Sequence, residues 1–263
     1  MLCFFLLFFN GYLLHQTKPV FFINRLDFSL NLILLADACN TVINNYFLQV
    51  FLDVMYFMMT LFFIYACITN NKLQYLAALL NFFFNLVYIL LLTSLSALSI
   101  QWFVGWILLP LLFIFKSAKS FYFAVHCMRY IFLLLFFSAG LWKIRGGGLF
   151  NIEQMSGILL KQHIVYLVAA PDNWYAKSIK FLITHYKFSY LLYLAAFAGE
   201  IIFCAGFFTR KYDKHLIGIL LLFISFNFVL MKINYISWVA FAGCLWYSKY
   251  NEPVTGYKKS FAA

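Results

Sequence analysis

Across residues 73–115 the chain carries no Asp, Glu, Lys or Arg. A stretch that long without charge needs either a large buried core or a bilayer, and the rest of the chain decides between them. Of its 263 residues, 65% are hydrophobic and only 10% are charged, and the mean hydropathy is +0.90. Soluble domains carry roughly 25% charged residues. Polar surface is too scarce here to cover a globule, so an integral membrane protein is expected. The formal charge of +11 comes from Lys and Arg placed mostly in short segments between apolar runs. Such placement orients a chain in the membrane and attracts anionic lipid heads. Membrane lipids are therefore the expected partners, and nucleic acid is not.

Crossing the hydrocarbon as a helix takes about 20 apolar residues. Breaks in the apolar runs mark candidate spans at 2–17, 45–68, 73–97, 100–115, 120–143, 189–209, 215–232 and 234–248. The fold class expected is all-α, a polytopic transmembrane helix bundle of about eight spans, with six to eight as the range. The fourth and the last two spans are short enough to be tilted or re-entrant. Residues 1–119 form the N-terminal transmembrane helices and are chemically quiet. Residues 120–248 hold most intramembrane polar groups, and 249–263 make a short polar tail. The N-terminal run lacks the basic region and cleavage site of a signal peptide and is read as the first span.

With eight spans both termini share a side. That side carries Lys72, Lys116, Lys119, Arg210, Lys211 and Lys214 in short segments, which makes it the expected cytoplasmic face. The opposite side carries Lys18, Arg25 and a long connection, 144–188. Within the connection, Ile152, Met155, Ile158 and Leu159 have amphipathic helical spacing, and Trp174, Ile179 and Leu182 repeat it beyond Pro171. Helices of that kind suit the membrane interface.

Charges inside a bilayer are costly and are usually paired or functional. Asp53, Arg129, Glu200 and Lys143 stand out, followed by His126, Asn227 and Lys232. Counting inward from the expected span ends at ~1.5 Å per residue puts Arg129 and Glu200 both about 13 Å deep. They are expected to pair, with His126 one turn away in the same polar network. Asp53 is expected to accept from Tyr56 or to face a cavity, and Asn227 and Ser225 to bond between helices. Lys143 lies about 21 Å along the same helix from Arg129, at a mouth formed with Trp142, Arg145 and Lys232. It either snorkels as an interfacial anchor or, if desolvated, acts as a base. The glycines Gly146 to Gly148 read as a flexible exit rather than an anion nest. The six cysteines and five histidines fall into no zinc spacing, so no metal site is expected.

The string MRYIFLLLFFSAGLWKIRGGGLFNIEQMSGILLKQH resembles membrane proteins of the HTTM type, relatives of the vitamin-K-dependent γ-glutamyl carboxylase, and Arg129, Ala139, Gly140 and Lys143 carry the likeness. The string AAFAGEIIFCAGFFTRKYDKHLIGILLLF is similar to both HTTM and DoxX-like proteins, through Glu200, Gly206, Thr209 and Arg210. The resemblance implies a lipid- or quinone-binding, redox-linked subunit in a bacterial inner membrane, working with other membrane or periplasmic subunits. A quinone or bound lipid is the cofactor it suggests, and independent enzyme activity is not expected. The alternative it raises is an enzyme with Lys143 as the catalytic base toward a quinol cofactor. Against that, Ile224 to Asn227 stand where HTTM proteins tend to carry a His, and no extramembrane domain is expected to present a protein substrate. A third reading, a transporter or ion pathway along Asp53, Glu200 and Arg129, lacks matched halves with broken helices.

Overall fold

The computed structural model describes residues 1–17, 41–42, 44–69, 72–95 and 98–248. Among these residues every regular element is a helix. In chain order they are α1 (Leu2–Phe9), α2 (Tyr46–Ile68), α3 (Gln74–Leu95), α4 (Val104–Leu108), α5 (Ala118–Arg145), α6 (Gln154–Ala169), α7 (Trp174–Thr184), α8 (Tyr186–Ile202), the single turn α9 (Ala205–Phe208), α10 (Asp213–Phe226) and α11 (Val239–Tyr247). Lys18, Arg25 and the tail 249–263 lie outside the described residues.

Five helical stretches among the described residues are long and apolar enough to cross a membrane: Tyr46–Ile68, Gln74–Thr93, Ala118–Arg145, Tyr186–Phe208 and Asp213–Met231. Val104–Ile114 and Ile236–Tyr247 are apolar but shorter. At ~1.5 Å per residue each of these reaches little more than half of a ~30 Å hydrocarbon layer. The expected first span, 2–17, departs further. Its helix ends at Phe9, because the chain turns at Asn10 and Gly11, where Gly11 takes a positive φ of 69°.

Local chemistry starts the long helices. Asn45 accepts from the Leu48 amide at 3.1 Å and Ser117 from the Ser120 amide at 3.1 Å, each satisfying a donor that the first helical turn leaves without a partner. From Ser117 the chain crosses as α5, folds residues 146–185 over one end, returns as α8 and α9, and crosses again as α10. We call the end bearing residues 146–185 the connection end and its opposite, with Arg210, Lys211 and Lys214, the basic end.

Lipid tails are as apolar as leucine, so inside a membrane close packing, rather than escape from water, holds helices together. One buried cluster joins α1, α2, α3 and α4 through Leu7, Tyr56, Tyr88, Ile89, Leu92 and Ile107. A second joins α5 to α10 and α11 through Phe132, Phe136, Phe203, Leu216, Leu220 and Phe241. Its rings stack closely: Phe136 on Phe203 at 4.3 Å and Phe132 on Phe241 at 4.7 Å between centroids. A third binds α6 and α7 to α8 through Leu159, Ile179 and Tyr193.

The two short apolar elements meet almost backbone to backbone. A Cβ added to Gly105 would lie 1.9 Å from the Ser237 carbonyl oxygen, so this crossing requires glycine. Gly105→Val should therefore destabilise the detergent-solubilised protein by at least ~2 kcal/mol, the ordinary cost of overpacking. Gly157, with open space around its missing Cβ, makes the control: Gly157→Ala should gain ~0.5–1 kcal/mol from helix propensity. Thermal unfolding of the two variants checks both signs, and an unharmed Gly105→Val would refute the close crossing.

Candidate functional site

Two ion pairs hang from α5, and neither is the expected Arg129–Glu200 pair. Arg129, wholly buried, is gripped by Asp213: Nε donates to Oδ2 at 2.9 Å and Nη2 to Oδ1 at 2.7 Å. Nη2 also donates to the Gly206 carbonyl at 2.8 Å and, more weakly, to that of Thr209 at 3.4 Å. Both carbonyls come from the frayed end of the α8–α9 crossing, where helical acceptors lack intrahelical donors. A bidentate, charge-assisted contact of this kind is the strongest form of Arg–carboxylate pairing.

Glu200 lies elsewhere because α8 begins well above α5's end. Tyr190 donates its hydroxyl to the Leu149 carbonyl at 2.5 Å, so the first turns of α8 already stand beside the chain that follows α5. Counting down from there brings Glu200 level with Gly140, where a Cβ would sit 3.5 Å from that of Glu200. Lys143, one turn above, reaches the carboxylate: Nζ to Oε1 is 2.8 Å. The lysine side chain is 23% exposed and the glutamate 4%. Lys143 also lies 5.1 Å from the centre of the Tyr193 ring, and Glu200 Oε2 is buried without a hydrogen-bond partner. Burial, and then the Glu200 carboxylate, push the Tyr235 phenol up.

The remaining polar residues are bound locally. Asp53 accepts from Tyr88 Oη at 2.5 Å rather than from Tyr56, whose hydroxyl bonds Cys3 Sγ at 3.2 Å. Its carboxylate also takes the amides of Leu14 and His15, both at 3.1 Å, and His15 Nδ1 at 2.5 Å. It is thus a fastener for Leu14 and His15. His126, one turn from Arg129 on α5, stands 2.6 Å from Ser248 Oγ. Asn227 and Ser225 donate to Phe223 and Leu221, four residues back on their own helix, and not between helices.

At the expected mouth, Trp142 points outward, with the Arg145 guanidinium 4.7 Å over its ring. The triple glycine is a helix cap. The Gly146 amide bonds the Trp142 carbonyl and the Gly147 amide that of Ile144, and Gly147 takes a left-handed φ of 70°. Those two amides are occupied, which removes the basis for an anion nest.

Lys232 belongs to a second feature of the connection end. After Phe226, α10 widens into a π-helical turn, Asn227–Met231, and stops at Lys232 with φ of 53°. Lys232 is the one non-glycine residue with positive φ among those described. Such strain and such π-turns concentrate at functional sites. The widening frees carbonyls, and the connection helices supply donors for them. Tyr175 Oη bonds the Val229 oxygen at 3.0 Å and the Leu230 oxygen at 3.2 Å, His163 Nε2 lies 2.7 Å from the Leu230 oxygen, and Gln162 donates to Met231. Burial pushes the Tyr175 phenol up, which keeps it a neutral donor. Lys232 Nζ then rests 4.4 Å over the Tyr175 ring. Beside it opens a cleft of about 510 Å3 whose walls include His163, Tyr166, Trp174, Tyr175 and Lys232. Sequence reasoning named Lys232 but missed its partners, because Gln162, His163 and Tyr175 sit far away in sequence. Asp213 was missed because it reads as one more loop charge. No group of three His, Cys, Asp or Glu able to hold a metal occurs among the described residues.

The two pairs predict asymmetric mutational costs. Removing one partner of a fully buried pair costs ~3–5 kcal/mol, so Asp213→Ala should cripple membrane accumulation, while Arg129→Met with Asp213→Leu restores much of it. At the upper pair Lys143→Met, which strands the buried Glu200, should be worse than Glu200→Gln, which leaves a lysine able to reach water. Quantifying folded protein for the single and double variants checks both orders; equal costs at the upper pair would refute the asymmetry.

Comparison of the chain with protein-family models, with curated proteins and with solved structures finds no match.

Proposed function

We propose that this chain is an HTTM/DoxX-like integral membrane protein that holds an amphiphile, a lipid or a quinone, by its headgroup in the Lys232 cleft. It serves a membrane complex and is not an independent enzyme. The observation that carries this reading is the cleft itself: about 510 Å3 with three aromatic residues, a histidine and a cation, at the end of an apolar helix, where headgroups lie. Small-molecule sites are mostly apolar concavities with a few placed polar groups. In this reading α6 and α7 lie in the interface, and α1, Val104–Ile114 and Ile236–Tyr247 enter the membrane beside the five long spans. The membrane is a bacterial inner membrane with the basic end cytoplasmic.

The Lys143–Glu200 pair favours a positioning role for Lys143. Its Nζ donates to a buried carboxylate on α8 at 2.8 Å, so the amine is committed to tying two helices. One feature supports the alternative of a carboxylase-like enzyme: the unpartnered Glu200 Oε2, close to the Lys143–Tyr193 contact, could take a proton during turnover.

Extraction and mass spectrometry of protein purified in mild detergent test the reading. A stoichiometric lipid or quinone should co-purify with the wild type and with Lys143→Arg, and fall several-fold in Lys232→Gln and Trp174→Ala. If Lys143→Arg folds and retains ligand yet abolishes function in the host, the enzyme alternative gains, because guanidinium cannot serve as a base. Orientation is checked separately: a cysteine at the fully exposed Asp172 should react with an impermeant reagent from outside intact cells. Labelling only after permeabilisation would reverse the topology.

A further inference from the structure

The Lys232 cleft has a neighbour. A slot of about 220 Å3 adjoins it, and Lys232 lines both. The slot's walls come from three places: Leu6 and Leu7 of α1, Trp102 and Trp106 in and before α4, and Phe228 and Ile236 at the end of α10 and the turn beyond it. Two contacts hold the second and third together. Gly105 crosses Ser237 with no room for a Cβ, and Trp238 Nε1 donates to the Gln101 carbonyl at 2.7 Å. Three of the polar groups in the walls are engaged. Asn10 Nδ2 donates to the Leu6 carbonyl at 2.6 Å, Asn234 Oδ1 accepts from the Ile236 amide at 3.0 Å, and Cys3 Sγ accepts from Tyr56 at 3.2 Å. What the slot offers a guest is therefore aromatic and aliphatic surface. Sites for whole small molecules run to ~300–1,000 Å3, so the slot holds part of a ligand and the Lys232 cleft the rest.

Among the described residues Lys232 is the one charged group in either set of walls. We propose that the amphiphile is a fatty carboxylate: its head pairs with the Lys232 ammonium beside Trp174, and its single chain runs past Lys232 into the slot, against Trp102, Trp106 and Phe228. This rests on the reading of the Lys232 cleft as an amphiphile site and names the class of ligand. One ammonium balances one carboxylate, whereas a phosphate monoester brings nearly two charges. A neutral head, quinone or alcohol, leaves the ammonium without a counter-ion. A slot smaller than a whole ligand site takes one chain and not two.

Equilibrium binding of stearate and of stearyl alcohol to the full chain in mild detergent tests the class, and stearate carrying a mid-chain diazirine, photolysed and mapped by mass spectrometry, tests the path. Stearate should bind the wild type about ten-fold more tightly than the alcohol, and Lys232→Gln should remove that preference, the loss of one charge-assisted hydrogen bond. The label should enter residues 102–106. Phe228→Ala, at an exposed wall position, should weaken stearate about three-fold through lost apolar contact, and Phe9→Ala, on α1 but outside the slot, should leave it near wild type. Equal affinity of the wild type for acid and alcohol would reject the carboxylate. Label confined to residues 162–175, with the acid preference intact, would keep the headgroup site and overturn the slot. A lipid or quinone that co-purifies while stearate fails to bind would sink this proposal alone; binding of neither probe with nothing co-purifying would sink the amphiphile reading as well.

Discussion

A wholly buried guanidinium must be answered by a carboxylate and by backbone oxygens, and the C-terminal half of this protein is arranged around that demand. Arg129 draws Asp213 to the start of α10, and takes carbonyls from Gly206 and Thr209 where the preceding crossing frays. The turn from α9 into α10, residues 206–213, is thereby tied to one point on α5. The aromatic packing above it, Phe132 on Phe241 and Phe136 on Phe203, gains its register from that knot. It also occupies both oxygens of Asp213.

The connection end obeys the same rule with neutral groups. A helix that widens and stops inside apolar surroundings exposes carbonyl oxygens, and each unmet one is expensive. Tyr175, His163 and Gln162 meet them from α6 and α7. The residues 146–185 are therefore docked on the bundle, and not draped over it as a linker. The left-handed Lys232 follows directly, since the chain must turn away once those carbonyls are taken. Cleft and cation arise together from the way one helix ends.

The placement of Lys143 also bears on the choice between anchor and base. Its reach to Glu200 uses the close approach of α5 and α8 at Gly140, where a Cβ would meet Ile201 at 2.8 Å. A snorkelling lysine needs no such partner. A catalytic base would need its nitrogen aimed at a substrate, whereas this one is engaged with Glu200. The geometry fits a third role, an interhelical tie whose lysine end stays partly wet while its glutamate end stays dry.

The sequence by itself determined the solvent and the class. Uncharged runs the length of a bilayer left only helices, since only a helix bonds its own backbone in lipid, and breaks such as Pro171 and the triple glycine marked where they end. It also picked out Asp53, Arg129, Lys143 and Glu200, because each is costly wherever it lies in the membrane. What it could not determine was who answers whom. Depth counted from helix ends fails when two helices end at different levels: the end of the α8–α9 crossing at Thr209 lies beside Arg129 and not beside the start of α5, and that offset exchanged Glu200 for Asp213 as the partner of Arg129. Likewise the π-turn at Asn227–Met231 has no period that composition reveals. Its cap comes from residues about fifty to seventy positions away, and only the packing of α6 and α7 on α10 brings those donors to the carbonyls. Cost per residue is a local property, and so it is written in the sequence; pairing depends on relative helix offset, which only the tertiary structure decides.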